Sequence, residues 1–189
     1  DILCEETASR LLHALSRVDR AKFVDLPYRE RAFGEEKLPI GCGRSMLAPS
    51  TFALMVSLMG LKRGMRILEI GSGTGYGSAV LSAAGAHVFA TESDGLLAQR
   101  ARRTLDALHF HGVIFSRGDV RRGWTEHAPF DGIIYGSPVD AVEPEVLAQL
   151  KAPGGRLVAP VRGTGICLWE AKRDGLVSYP LEVGDRFDD

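Results

Sequence analysis

The stretch Ile67-Leu68-Glu69-Ile70-Gly71-Ser72-Gly73-Thr74-Gly75-Tyr76 decides the fold. A short apolar run carrying Glu69 gives way to three glycines at alternate positions, Gly71, Gly73 and Gly75, and an amphipathic segment begins near Tyr76. This order reads as a buried strand, a glycine loop and a helix N-terminus. Glycine admits positive φ and lets a ligand approach the backbone closely, and a helix start offers N–H groups. A small molecule with polar atoms is therefore expected across the loop. The dinucleotide pattern G-x-G-x-x-G would need glycine at position 76 or 78, where Tyr76 and Ser78 stand. The phosphate loop needs a lysine after its last glycine, and none follows. What is left is E-x-G-x-G-x-G, with no residue placed to grip a phosphate chain.

Outward from this loop the pattern alternates. Strand-like runs fall at 66–70, 87–91, 113–116, 131–135 and 155–161, and helix-like runs at 76–84, 94–108 and 143–150. Alternation of this kind predicts an α/β protein with a mostly parallel sheet covered on both faces. Residues 166–171 and 176–183 read as an antiparallel pair that closes it, for seven strands in all. Upstream, Ala8, Leu11, Leu12 and Leu15 at helical spacing predict an amphipathic helix over 4–16. Residues 28–49, with Pro39, Gly41, Gly43 and Pro49, read as a long loop, and loops of that length inside a domain are usually functional. Ser50 is the expected N-cap of a helix over 51–60.

Lys plus Arg is 23 against 24 Asp plus Glu, a net charge of −1, which argues against a surface for nucleic acid. Arg100, Arg102 and Arg103 read as a solvated helix face. Cys4, Cys42 and Cys167 have unrelated spacings, so neither a disulfide framework nor a metal site is expected, and a reducing cytoplasm fits. His109 and His111 lack further ligands nearby. No apolar run reaches the ~20 residues of a membrane span. Asp1 in place of an initiator methionine implies that residues precede it.

The glycine loop with its acidic residue resembles motif I of class I S-adenosylmethionine-dependent methyltransferases, in which the loop wraps the methionine part of the cofactor. The fold so implied is a Rossmann-like, doubly wound sheet. Ligands of such sheets sit at the carboxyl ends of the strands. Glu92 ends the second strand-like run, 21 positions after Gly71, where it can accept from both ribose hydroxyls. Asp119 follows the third, placed to accept from an adenine amine, with Val120 packing the ring. Tyr135 and Ser137 follow the fourth and are expected to line the pocket. The expected cofactor set is Glu69, Gly71, Ser72, Gly73, Gly75, Glu92, Ser93, Asp119 and Val120.

The likeness extends further. Leu38-Pro39-Ile40-Gly41-Cys42-Gly43 before Ala48-Pro49, Arg20-Ala21-Lys22-Phe23-Val24, Ala128-Pro129-Phe130-Asp131 and Gly154-Gly155-Arg156-Leu157-Val158-Ala159-Pro160-Val161 resemble segments of the protein-L-isoaspartate O-methyltransferases. That resemblance covers about residues 10–170. It implies a single methyltransferase domain, with N-terminal helices and an acceptor loop over 1–60 and the cofactor-binding sheet core over 61–189. It also implies a monomer that methylates the isoaspartyl carboxylate of damaged proteins. The family's Q-T-I-S stands here as Arg44-Ser45-Met46-Leu47, so the usual serine is Leu47. The tail from Val183 to Asp189 replaces an apolar strand. Three readings stay open: an isoaspartyl enzyme in which Ser45 supplies the hydroxyl and Arg44 grips the carboxylate, a methyltransferase with another acceptor, or a cofactor-binding module without turnover.

Overall fold

The computed structural model describes residues 2–181 and residue 187. The expectation for the tail lies outside the described residues, Phe187 apart, as do the last two positions of the strand predicted to run to 183. The main sheet has seven strands: β3 (Arg66–Ile70), β4 (His87–Glu92), β5 (Ile114–Arg117), β6 (Gly132–Tyr135), β7 (Arg156–Val161), β8 (Gly165–Lys172) and β9 (Gly175–Leu181). Their order across the sheet is β5-β4-β3-β6-β7-β8-β9. The first five are parallel, and β8 and β9 are added antiparallel at one edge. A separate hairpin pairs β1 (Leu38–Gly41) with β2 (Arg44–Met46).

Successive side chains of the central strands feed two apolar cores. Ile67, Ile134 and Val158 point to one, while Leu68, Ile70, Ile133, Tyr135 and Leu157 point to the other. Burial on both faces makes these strands continuous apolar runs rather than alternating ones. The first core is covered by helices α1 (Ile2–Arg17), α2 (Pro49–Met59), α3 (Tyr76–Ala83) and α4 (Gly95–Ala107). The second is covered by the short helix α5 (Pro144–Leu147), the 3-10 turn Thr125–His127 and loop residues such as Phe130 and Trp124. The helix expected over 143–150 is thus a single turn. Beyond it the chain tightens through Gln149 N–H to Val146 C=O and Leu150 N–H to Leu147 C=O. This lets the buried Gln149 donate to the carbonyls of Arg122 and Glu145 and accept from Trp124 N–H.

Two further expectations are corrected. Helix α2 begins at Pro49 rather than after Ser50, because proline presets the first-turn φ; the Ser50 N–H is bonded instead by the Glu35 carboxylate at 3.1 Å. Gly60, at φ 72°, then ends the helix. Residues 28–49 are not a bare loop but carry 3-10 turns and the β1–β2 hairpin. Arg20 organises them. It is 5% exposed, and its guanidinium donates to the carbonyls of Ala32, Gly34, Glu36 and Leu47 at 2.8–3.3 Å. Backbone groups that a regular element would satisfy are met here by one side chain.

Candidate active site

Strand β3 lies between β4 and β6, so the chain leaves it in opposite directions on its two sides. The crevice this opens at the strands' carboxyl ends is where open α/β sheets bind ligands. The glycine bend sits there. The N–H groups of Gly71 and Ser72 both donate to Thr91 C=O, at 2.9 and 3.1 Å, which ties the bend to β4. Gly73 takes φ 59°, and a Cβ on it would lie 2.7 Å from Ile40 Cδ1 of the hairpin. Across the crevice, a Cβ on Gly136 would lie 2.5 Å from Gly71 O. Side chains at 73 or 136 would push the hairpin or the β6 loop off the bend.

Glu92 ends β4 and is fully buried. Its Oε2 accepts from Gly73 N–H at 2.7 Å, and its Oε1 accepts from Asp94 N–H at 3.0 Å and from Arg44 Nη1 at 2.7 Å. Arg44 reaches this carboxylate from β2, and its Nη2 donates to Gly71 C=O at 3.2 Å and to Ser137 Oγ. Sequence spacing gave no sign of this contact, which spans 48 positions. A buried carboxylate left without its cation would be destabilised by on the order of 3–5 kcal/mol.

Glu69, by contrast, faces α3. It accepts from Ser78 Oγ, and burial raises its pKa from the ordinary 4.5 to about 7, against the opposing pull of the Ser78 hydrogen bonds. It lines a small cavity of about 30 Å³ together with Ser72 and Thr74. The Ser72 and Thr74 hydroxyls are buried without a partner among the described residues. This cavity meets the main cleft at Ser45 and Leu47, which line both.

The main cleft encloses about 520 Å³. Its walls include Gly71, Ser93, Val120, Tyr135, Ser137 and Val139, and Arg44, Ser45 and Leu47 form its hairpin side. Tyr135, whose hydroxyl pKa is raised by burial, donates to Val120 C=O at 3.1 Å and so fixes the backbone beside that wall. Asp119 stands two residues beyond β5. Its carboxylate accepts from Arg121 N–H at 2.8 Å and from the Arg121 guanidinium at 3.0 Å, which holds it below the usual carboxylate range. Of the residues proposed from the sequence, Arg44, Glu92, Gly71 and Gly73 are in mutual contact. Ser45, Ser93 and Val120 line the same cleft, Glu69 and Ser72 lie in the adjoining cavity, and Asp119 is turned to Arg121.

A cleft of this size is ordinary for a small molecule. A buried acceptor at the end of β4, partnerless hydroxyls on the bend and a backbone stripped of side chains where a ligand would touch it all suit a nucleoside carrying an amino-acid tail. The fold and the site together are those of the Rossmann-like methyltransferases. Within that class the chain belongs to the protein-L-isoaspartate(D-aspartate) O-methyltransferase family, whose model matches residues 5–179. The protein-L-isoaspartate O-methyltransferase of Methylorubrum populi is 43% identical over 155 residues, covering 82% of this chain and 72% of the relative. That of Salinibacter ruber is 38% identical over 181 residues, covering 92% and 78%. A solved protein-L-isoaspartate O-methyltransferase superposes with a TM-score of 0.83 at 28% identity, and this chain, 98% covered, spans 65% of that chain. A Plasmodium falciparum protein, solved in complex with S-adenosyl-L-homocysteine, shares the fold with a TM-score of 0.75 at 20% identity over 91% of this chain and 86% of its own.

Proposed function

We propose that the protein is an S-adenosylmethionine-dependent O-methyltransferase that esterifies the carboxylate of isoaspartyl residues in damaged proteins and peptides. The observation that carries this reading is the meeting, in one crevice, of a nucleoside-type acceptor (Glu92) and a carboxylate-type donor (Arg44), within a family match that runs nearly the length of the chain. Glu92 would hold the ribose hydroxyls. Residues 71–75 with the Ser72 and Thr74 hydroxyls would hold the polar tail, and Val120 and Ser93 would flank the base; Asp119 would take its amine only by turning from Arg121, which holds it in this structure. The bound cofactor would supply an electrophilic methyl group on a sulfonium: a bond from the acceptor oxygen to that carbon forms as the carbon–sulfur bond breaks, and the neutral thioether leaves.

The chain's own part follows from the acceptor's chemistry. A carboxylate is already ionised at neutral pH, so no general base is needed. The protein's task is to place one carboxylate oxygen in line with the methyl carbon and to remove water from it. Arg44 offers a planar pair of donors that matches a carboxylate. Ser45, beside it on β2, offers a hydroxyl, and Leu47 and Val139 give the cleft apolar walls that would shield the carboxylate once the substrates fill it. Leu47 gives this site no donor, so orientation rests on Arg44 and Ser45. The reading is of a monomer. Cys42 and Cys167, both free thiols, accord with a reducing, cytoplasmic setting, and no helix among the described residues is long and apolar enough to cross a membrane.

The test offers the protein methyl-labelled S-adenosylmethionine with a peptide containing one isoaspartyl residue and with its aspartyl isomer. A base-labile methyl ester is expected on the first and not on the second. Cofactor binding with no ester on either peptide would reject the assignment.

A further inference from the structure

Arg44 is bonded to the nucleoside side of the cleft, although the acceptor is the substrate it suits. We propose that Arg44 has two stations: it clamps Glu92 until an acceptor carboxylate draws it off, so that acceptor and nucleoside cofactor bind with positive coupling. This rests on the methyltransferase reading above.

The need to move follows from counting acceptor sites. A carboxylate has about four lone-pair sites. On Glu92, Asp94 N–H and Arg44 Nη1 take two on Oε1, and Gly73 N–H takes one on Oε2. One remains, and a vicinal diol brings two donors. The two N–H partners belong to the backbone of the bend and of the α4 entry, so the side chain of Arg44 is the partner that can leave. Its departure alone would strand a buried anion. Departure is easiest when the guanidinium gains a new anion as the diol arrives, and this exchange is the coupling.

Arg44 is also incompletely satisfied in the clamp. Its Nε–H is buried and has no acceptor among the described residues, whereas a carboxylate approaching edge-on can take Nε–H and an Nη–H together. The hairpin permits the excursion. Gly41, Cys42 and Gly43 at its tip all have positive φ (91°, 55° and 68°), and a Cβ on either glycine would meet nothing within 4 Å. The root is fixed, because Arg20 binds Met46 Sδ and Leu47 C=O. The tip is tied as well, through the Cys42 thiol to the Asp94 carboxylate, so the movement required is a swing of the Arg44 side chain.

Calorimetry with S-adenosylhomocysteine tests this without turnover. For the wild type, saturating isoaspartyl peptide is expected to tighten nucleoside binding about tenfold, within the usual range of coupling between sites, and the nucleoside should tighten peptide binding by the same factor. In Arg44→Ala the nucleoside should bind about tenfold tighter than to the wild type without peptide, and the peptide effect should vanish. Arg44→Lys, with a cation but no fork, should retain the clamp and lose most of the coupling. Equal nucleoside affinity with and without peptide in the wild type overturns the proposal, and this arm needs no variant. Weaker nucleoside binding in Arg44→Ala also overturns it, since Arg44 would then be a plain cofactor ligand. If folded wild type and variants alike give no heat with the nucleoside, the methyltransferase reading falls, and the proposal with it; that result is distinct from binding without coupling.

Discussion

Glu69 and Glu92 look alike in the sequence, both acidic and both on strands that reach the same crevice, yet their surroundings separate them. Glu92 meets a guanidinium and two backbone N–H groups. Glu69 meets the Ser78 hydroxyl and, among the described residues, no cation, and burial lifts its pKa to about 7. Its folded pKa lies above the unfolded value, so between about pH 4.5 and 7 the folded chain keeps a proton that the unfolded chain has lost. The Glu69 contribution therefore favours the fold below about pH 4.5 and is lost as pH rises through 7, by on the order of 3 kcal/mol. Glu69→Gln should remove that slope. In urea titrations from pH 4.5 to 8 the variant should gain stability relative to wild type as pH rises, and a pH-independent difference would contradict the burial account. Leu47 invites a second substitution. It is buried and its side chain lines both cavities. Leu47→Ser should destabilise the fold by about 2 kcal/mol, the low end for a large-to-small change in a core. It should change kcat on an isoaspartyl peptide by less than about tenfold, since Arg44 and Ser45 supply the donors; a hundredfold rise, on the scale of a restored oxyanion-type donor, would show that the missing hydroxyl is the main defect. The strand-end position of Glu92 was legible because a strand–loop–helix–strand spacing carries it. The Arg44 clamp was not, since it exists only once the hairpin folds back over the bend.

The β1–β2 hairpin is the element on which the site depends. Its four-residue strand Leu38–Gly41 alternates buried and exposed, too briefly for a period of two to stand out from the prolines and glycines around it. It is held by long-range partners instead. Arg20 takes carbonyls from three places in the preceding turns and from Leu47 after β2, and Arg100 donates to Ile40 C=O at 3.3 Å. Arg20→Met keeps much of the stem's volume and strands these carbonyls. A loss of about 3 kcal/mol is expected from several unmet buried acceptors, together with faster amide exchange across residues 34–47 while β3–β7 stay protected. Uniform loss of protection through the sheet would show that Arg20 supports the whole core rather than the hairpin. Helix α5 is shorter than its apolar spacing predicts for a related reason. Its apolar spacing over 143–150 is genuine, but the capture of the chain by Gln149 ends the helix early, and a side chain bonding to a distant backbone leaves no periodic trace.

At the scale of the molecule, the parallel core was legible from strand–helix alternation, because β3, β4, β6 and β7, buried on both faces, must read as apolar runs, and the partly exposed β5 pairs parallel at their edge. The antiparallel β8–β9 edge was legible from its short turn. What the sequence concealed is asymmetry: α1–α4 pack against one core, while the other is closed by one short helix and loops. The open cleft lies among those loops, at the ends of β3–β6, with the hairpin as its wall. The architecture thus puts the glycine bend and the end of β4 on one side of the cleft and the hairpin, with Arg44, on the other. Methyl esterification of the free α-carboxylate of an isoaspartyl residue activates it toward attack by the following backbone nitrogen, which expels methanol, and the imide that results opens by hydrolysis to both aspartyl and isoaspartyl forms. The most direct measurement follows the two isomers of one peptide by chromatography over many turnovers. With S-adenosylmethionine and the protein, the isoaspartyl form should fall steadily while the aspartyl form accumulates, and neither should change when the cofactor is left out. An isoaspartyl fraction that stays constant while the protein demonstrably binds the cofactor would contradict the account.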